Sequence, residues 1–229
     1  MSINKNYLTK RENQRRILNR FIDRPVKYLV KHKISPDTLS YIGFLFSLAT
    51  AICITFDGLH FPFAIAWITP LLLFWAGALD VFDGEVARRT NANSMVGAFL
   101  DSNLDRLSDA ILIISLILGN YINYLLGSII LFLVIMISYI RAKAENQGID
   151  MRGVGMMERG ERLIILWFGF IAEIELYFFT NLIFGTPFIW FFPIFISIFT
   201  LLLALTVIQR LVFSFRALRK LDNQNKSLY

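Results

Sequence analysis

The chain has 229 residues, 56% of them hydrophobic and 22 of them Phe, with 23 Lys or Arg against 17 Asp or Glu for a net charge of +6. A mean hydropathy of +0.57 lies outside the range of soluble domains, so a water-soluble enzyme is excluded and a membrane protein is implied. The basic residues flank apolar runs, which matches a membrane surface and leaves no nucleic-acid partner to expect. The single cysteine, Cys53, falls inside an apolar run, so an intrachain disulfide is impossible and the residue reads as a lipid-buried apolar group.

Met1 to Lys33 holds ten Lys or Arg and no uninterrupted apolar core of a leader, so this segment is expected to remain in the mature protein. Within 9–33, Ile17, Leu18, Phe21, Ile22, Val26, Leu29 and Val30 fall roughly on one helical face and cations on the other. That pattern predicts an amphipathic helix lying in the membrane interface, kinked or split at Pro25. "ISPDTLS" at 34–40 reads as a helix start, with Ser35 or Asp37 as the cap and Pro36 in the first turn.

Apolar runs of about 20 residues, enough to cross a hydrocarbon core of roughly 30 Å, occupy 37–56, 61–82, 96–119, 121–140, 162–181 and 186–209. Asp57 and Gly58 make the first tight turn, and Pro70 either bends the second span or marks a packing contact. "NANS" at 91–94 is a short connection in which Asn93 or Ser94 caps the third span. The longer, glycine-rich connection "ENQGIDMRGVGMMERGER" is either a cover over a site or a plain linker. No Lys or Arg occurs at 57–60, 119–123 or 181–187, so the positive-inside rule puts both termini in the cytoplasm. The expected fold is an all-α integral membrane domain over 1–229, with an interfacial helix region at 1–33 and a six-helix transmembrane bundle at 34–220.

One stretch breaks the apolar pattern: "GALDVFDGEVARRTNANSMVGAFLDSNLDR" from Gly77 to Arg106 carries four aspartates. Asp80, Asp83, Gly84 and Ala87 are spaced i, i+3, i+4, i+7 and share a helical face, as do Gly97, Asp101 and Asp105 at i, i+4, i+8. The short connection makes the two helices antiparallel neighbours, so the acidic faces can meet. An ionised residue at membrane depth costs about 2.5 to 3.5 kcal/mol on insertion scales. Four converging carboxylates therefore call for a divalent cation, and hard oxygen donors select Mg²⁺, Mn²⁺ or Ca²⁺ over zinc. Two ions held about 3.5 to 4 Å apart would suit phosphoryl transfer. Gly84, Ala87 and Gly97 leave room for close helix approach or for a ligand, and Arg88 either contacts a phosphate or pairs with Glu85 or Asp109.

From Asp80 to Asp105 the chain resembles the CDP-alcohol phosphotransferases, matching D-x-x-D-G-x-x-A-R, eight residues, G-x-x-x-D-x-x-x-D at every fixed position. The resemblance implies a Mg²⁺-dependent enzyme, usually a homodimer, that breaks the pyrophosphate of a CDP-linked alcohol, transfers the phosphoryl group to a second alcohol and releases CMP. It implies two Mg²⁺, with Mn²⁺ as an alternative, bound by Asp80, Asp83, Asp101 and Asp105. Asp105 would also be the general base, and Gly84, Ala87, Arg88 and Gly97 would line the CDP site. "SPDTLS" resembles the family's nucleotide-side segment, with Asp37 where Asn is common and Ser40 where Thr is common.

"SYIRAKAENQG", "GMMERGERLIIL" and "VIQRLVFSFR" resemble the branch that makes inositol-phosphate lipids in ester or archaeal ether form. A phosphorylated acceptor needs bidentate cations, and Arg141, Arg159, Arg162 and Arg210 are the candidates, with Glu158 and Glu161 to orient them. The expected reaction moves a phosphatidyl or archaetidyl group from a CDP-lipid to inositol phosphate at the cytoplasmic face of the cell membrane. Alternatives are a soluble CDP-inositol donor, or glycerol phosphate or serine as acceptor. A membrane prenyltransferase and a divalent-cation transporter are more distant, the first because D-G-x-x-A-R argues against it and the second because the outer halves of the spans are nearly all apolar.

Overall fold

The structure is a computed structural model in which residues 22–92 and 94–226 are described. The amphipathic stretch up to Phe21, with Ile17 and Leu18, and the cap candidate Asn93 lie outside them. Every regular element among the described residues is helical. In chain order these are α1 (22–31), α2 (Pro36–Thr55), α3 (Phe63–Ala66), α4 (Ile68–Thr90), α5 (Met95–Leu118), α6 (Tyr124–Asn146), α7 (Arg159–Phe184) and α8 (Phe191–Lys226).

Helices satisfy their own backbone polar groups, which is why a chain of this composition folds this way in lipid. Five stretches are long and apolar enough to cross a membrane: Pro36–Thr55, Phe63–Thr90, Tyr124–Asn146, Arg159–Phe184 and Phe191–Gln224. Another long helix, α5, has 24 residues and carries Asp101, Asp105, Arg106 and Asp109 along its length, and it is not among these five. The protein is an all-α integral membrane protein.

Pro70 follows the break at Trp67 that separates α3 from α4 within the apolar stretch Phe63–Thr90, so the second span is interrupted beside it as expected. It sits in the first turn of α4, where its missing N–H has no intrahelical partner to lose, and its carbonyl accepts the Trp167 indole N–H at 2.9 Å. Ser35, rather than Asp37, caps α2, its Oγ accepting from the Thr38 N–H at 3.2 Å. α1 runs through Pro25 without a break.

Packing divides the chain into two units. The first comprises Met1–Phe46 and Phe74–Leu107, the second Ser47–Leu73 and Ser108–Tyr229. In the first, Ile22 and Val26 of α1 pack with Leu39 of α2 and Val86 of α4 in a small apolar core. Arg89 of α4 reinforces it by reaching Asp23 of α1 at 2.9 Å, and Lys27 and Arg89 together hold the Asp23 carboxyl below its ordinary range.

In the second unit α6 and α7 pack on α8 around a core that includes Phe170, Phe192, Phe199 and Leu203. The connection between α6 and α7 is packed rather than loose. Met151 and Met157 are fully buried, and the Met156 N–H donates to Gln209 Oε1 of α8 at 3.0 Å.

The turn after α2 carries a polar lock in this unit. Asp57 adopts φ +62°, and Gly58 lies so close to the Cys53 carbonyl that a Cβ would approach its oxygen to 2.5 Å. That turn presents His60, whose Nδ1 lies 2.8 Å from Asp57 Oδ1 and whose Nε2 lies 3.0 Å from Glu173 Oε1 of α7. Carboxylates only accept, so an imidazole bridging two of them donates from both nitrogens as the imidazolium. Tyr177 stacks on the ring with centroids 4.1 Å apart, and the Tyr121 ring lies tilted to it at 5.4 Å.

Burial opposes the charge on His60, but its bonds to Glu173 and Asp57 outweigh that and raise its pKa. A raised folded pKa means that the stabilisation is complete below about 6.5, the unfolded value, and is lost as pH rises through the folded value. Thermal unfolding in detergent should therefore show the wild-type midpoint falling between about pH 6 and pH 9 more steeply than that of His60→Gln. Parallel pH profiles would remove the lock from the stability of this unit.

Candidate metal and nucleotide site

The four aspartates between Asp80 and Asp105 all lie in the first unit. α4 ends in a left-handed turn, with Asn91 at φ +52° and the Ala92 N–H returning to the Ala87 carbonyl at 3.1 Å. This is the six-to-one bond of a Schellman motif, and Asn tolerates the conformation that it requires. α5 begins three residues later with Ser94 as its cap, the Gly97 N–H donating to Ser94 Oγ at 2.8 Å. Two well-formed helix ends thus close the reversal in a few residues and turn the acidic face of α4 toward that of α5.

Asp80, Asp101 and Asp105 meet there, each half-buried, and one carboxylate oxygen from each lies within 4.8 Å of the others. Oxygens on opposite sides of an ion bound at about 2.1 to 2.4 Å are about 4.2 to 4.8 Å apart, so the three can share one divalent cation. All donors are hard carboxylate oxygens, and their mutual repulsion is relieved by positive charge, so the residues fit Mg²⁺ or Mn²⁺.

Asp83 stands beside this trio, within electrostatic reach of Asp80 and Asp101, and is only 5% exposed. Its Oδ2 accepts a 2.6 Å hydrogen bond from Ser40 Oγ of α2. The Ser40 hydroxyl thus orients an acid of the signature. Sequence spacing carries no trace of this bond, because it joins helices 43 positions apart.

The small residues of the motif lie beside polar side chains. A Cβ on Gly97 would come to 3.0 Å from both Asp37 Oδ1 and Ser94 Oγ, which also locates the Asp37 carboxylate at the start of α5. Gly84 borders the Arg88 guanidinium, and Ala87 is half-buried one turn from Asp83. Arg88 pairs with Glu85 through Nε at 3.0 Å and Nη2 at 2.8 Å, and its side chain is 61% exposed. Glu85 also takes Arg89 at 2.9 Å, so it stands between two arginines while Arg89 reaches on to Asp23.

The acceptor candidates lie in the second unit. Arg210, 2% exposed, donates from Nε to the Val154 carbonyl at 3.0 Å and from Nη1 to the Ile137 carbonyl at 2.7 Å. Arg141 and Arg162 lie within electrostatic reach of it, as do Glu145 and Glu158. Arg141 pairs with Glu145 at 2.9 Å on an exposed surface. Arg159 opens α7, where Glu158 and Glu161 form a capping box whose 2.6 Å bond joins the Glu158 N–H to Glu161 Oε2. The two glutamates therefore serve the start of α7. Asp109, offered by its sequence position as a partner of Arg88, is instead paired with Arg162.

The model of the CDP-alcohol phosphatidyltransferase domain matches residues 33–215, which span both the aspartate cluster and all four arginines. The chain belongs to the CDP-alcohol phosphatidyltransferase family. It is therefore a transferase of that type. It is 35% identical over 205 residues to an archaetidylinositol phosphate synthase from Methanothermobacter thermautotrophicus, covering 90% of this chain and 94% of that protein. Among solved structures it is similar to phosphatidylinositol phosphate synthase (PgsA1) of Mycobacterium tuberculosis with CDP-DAG bound, at TM-score 0.68 and 25% identity over 86% of this chain and 94% of that one. The same synthase in complex with manganese and citrate gives TM-score 0.67 at 24% identity over 83% and 87%.

Ser40→Ala would leave a buried carboxylate oxygen of Asp83 without its donor. Mn²⁺ affinity measured by calorimetry is expected to fall about 10-fold or more, the usual effect of losing an outer-shell partner. Unchanged affinity would show that Asp83 needs no help from α2.

Proposed function

We propose that this transferase moves a phosphatidyl or archaetidyl group from a CDP-lipid to inositol phosphate and releases CMP. The observation that carries the reading is the convergence of Asp80, Asp101 and Asp105 within 4.8 Å, inside a signature matched at every fixed position. The choice of acceptor is supported by a similarity to an archaetidylinositol phosphate synthase that covers 94% of that relative's length.

In this reading an acceptor hydroxyl attacks the lipid-side phosphorus of the pyrophosphate. The new P–O bond forms as the bond to the bridging oxygen breaks, CMP leaves with that electron pair, and the hydroxyl proton passes to Asp105. An alcohol holds little alkoxide at neutral pH, so a carboxylate within reach lowers the barrier. Asp80, Asp83, Asp101 and Asp105 would hold one or two divalent ions, Mg²⁺ or Mn²⁺, which neutralise the charge that develops on the pyrophosphate. Asp37, Gly84, Ala87, Arg88 and Gly97 receive the CDP moiety, with Arg88 exposed and able to exchange Glu85 for a phosphate. Ser40 acts through Asp83. Arg141, Arg159, Arg162 and Arg210 take the acceptor's phosphate, a role favoured by the electrostatic proximity of three of them.

The distribution of Lys and Arg supports a site and termini on the cytoplasmic side. Homodimerisation is the expectation that the family resemblance supports, and a single sharp species of twice the chain mass in native mass spectrometry is its test.

Asp105→Asn is expected to keep CDP and Mn²⁺ binding while CMP release falls by about 10²- to 10⁴-fold. Normal turnover would remove Asp105 from the chemistry. Offered a CDP-lipid with inositol phosphate, inositol, glycerol phosphate or serine, the purified enzyme should release CMP fastest with inositol phosphate. Preference for an unphosphorylated alcohol would overturn the acceptor assignment.

A further inference from the structure

α5 carries a third aspartate in the same series, since Asp101, Asp105 and Asp109 follow one another at i, i+4, i+8. The first two join Asp80 in the metal cluster. Asp109 has another partner: its Oδ2 receives Arg162 Nη2 of α7 at 2.5 Å.

Both members of this pair are buried, Asp109 at 7% and Arg162 at 4% exposure. They line a small cavity whose other walls are Leu112, Ile113, Val134, Leu166 and Phe199, all apolar. In such surroundings the attraction is poorly screened. The guanidinium is thereby held in one orientation.

Stability alone does not explain this pair. A buried ion pair is often no more stabilising than apolar residues of similar volume. Arg162 also sits in the opening turns of α7, four residues from Glu158, where the positive end of the helix dipole disfavours a cation. Arg210, by contrast, is fixed by backbone carbonyls and needs no counter-ion to hold its place. An arginine kept at an unfavourable helix end by a dedicated buried carboxylate is one whose charge and direction are used.

We propose that Asp109 is a positioning residue for acceptor binding: it orients the Arg162 guanidinium toward the acceptor's phosphate and takes no part in metal binding. This rests on the reading of Arg162 as a phosphate ligand. The chemistry selected is a phosphate monoester dianion, for which guanidinium direction matters more than it does for a neutral polyol.

The test is a double-mutant cycle in the full-length enzyme, with Asp109→Asn, Arg162→Gln and the double variant assayed for CMP release, and with Asp109→Glu as the conservative replacement. Asp109→Asn should raise KM for inositol 1-phosphate about 10-fold, the usual order for one charge-assisted hydrogen bond. KM for the CDP-lipid and Mn²⁺ affinity should not change, and Asp109→Glu should recover most of the loss. The double variant should be no worse than Arg162→Gln alone. Should Asp109→Asn fail to fold with a buried arginine unpaired, the double variant, which buries two amides, supplies the comparison with Arg162→Gln. Independent, multiplying effects of the two substitutions would overturn the proposal, as would weakened Mn²⁺ binding in Asp109→Asn. If Arg162→Gln raises the acceptor KM and Asp109→Asn does not, only the positioning role falls. If Arg162→Gln leaves it unchanged, the phosphate-ligand reading itself falls and takes the positioning role with it.

Discussion

Like charges do not gather in a membrane protein without a reason, and the first unit is organised around the place where they do. Asp80, Asp101 and Asp105 lie within 4.8 Å of one another on two helices joined by a four-residue connection. Each feature of that connection serves the approach: the left-handed Asn91 ends α4 sharply, Ser94 starts α5 at once, and Gly97 leaves space where a methyl group would press on Asp37. The salt bridge from Arg89 to Asp23 and the apolar contacts of Val86 then fix the same end of α4 against α1. A divalent cation converts the remaining repulsion into attraction, so that the electrostatics which make the cluster costly also make it selective for hard metal ions.

A different solution operates in the second unit, where several buried charged groups find partners within the chain. Arg210 is answered by two carbonyls, Arg162 by Asp109, and His60 by Asp57 and Glu173. In a low-dielectric interior these contacts are expensive to leave half-made, so each also fixes the segments that supply it. The bond from Arg210 to Val154 and that from the Met156 N–H to Gln209 tie the α6–α7 connection to α8, and His60 ties the turn after α2 to α7.

Much of this was legible in the sequence, for reasons that can be named. Apolar runs located the six long helices among the described residues, because length and hydropathy are the properties that lipid imposes. The runs fell short of the helices at their charged ends: the last apolar run stops near 209, whereas α8 continues to Lys226, since a backbone hydrogen-bond ladder does not end where hydropathy does. Helical spacing placed Asp80 on one face and Asp101 with Asp105 on another, and a connection too short for any arrangement but a reversal brought them together.

Cross-helix partners were illegible for a related reason. Spacing fixes which residues share a face of one helix, while Ser40 with Asp83 and Asp109 with Arg162 depend on how separate helices are rotated about their axes, which no local pattern encodes. The case of Asp109 is the most instructive, because its position continues the acidic series of α5 without interruption. What separates it from Asp105 is the environment one turn further on, where apolar walls and an arginine from α7 replace a converging carboxylate. Identical residues at identical spacing thus acquire different chemistry from their neighbours on other helices. In this fold those neighbours decide which carboxylates converge on one another and which hold a cation.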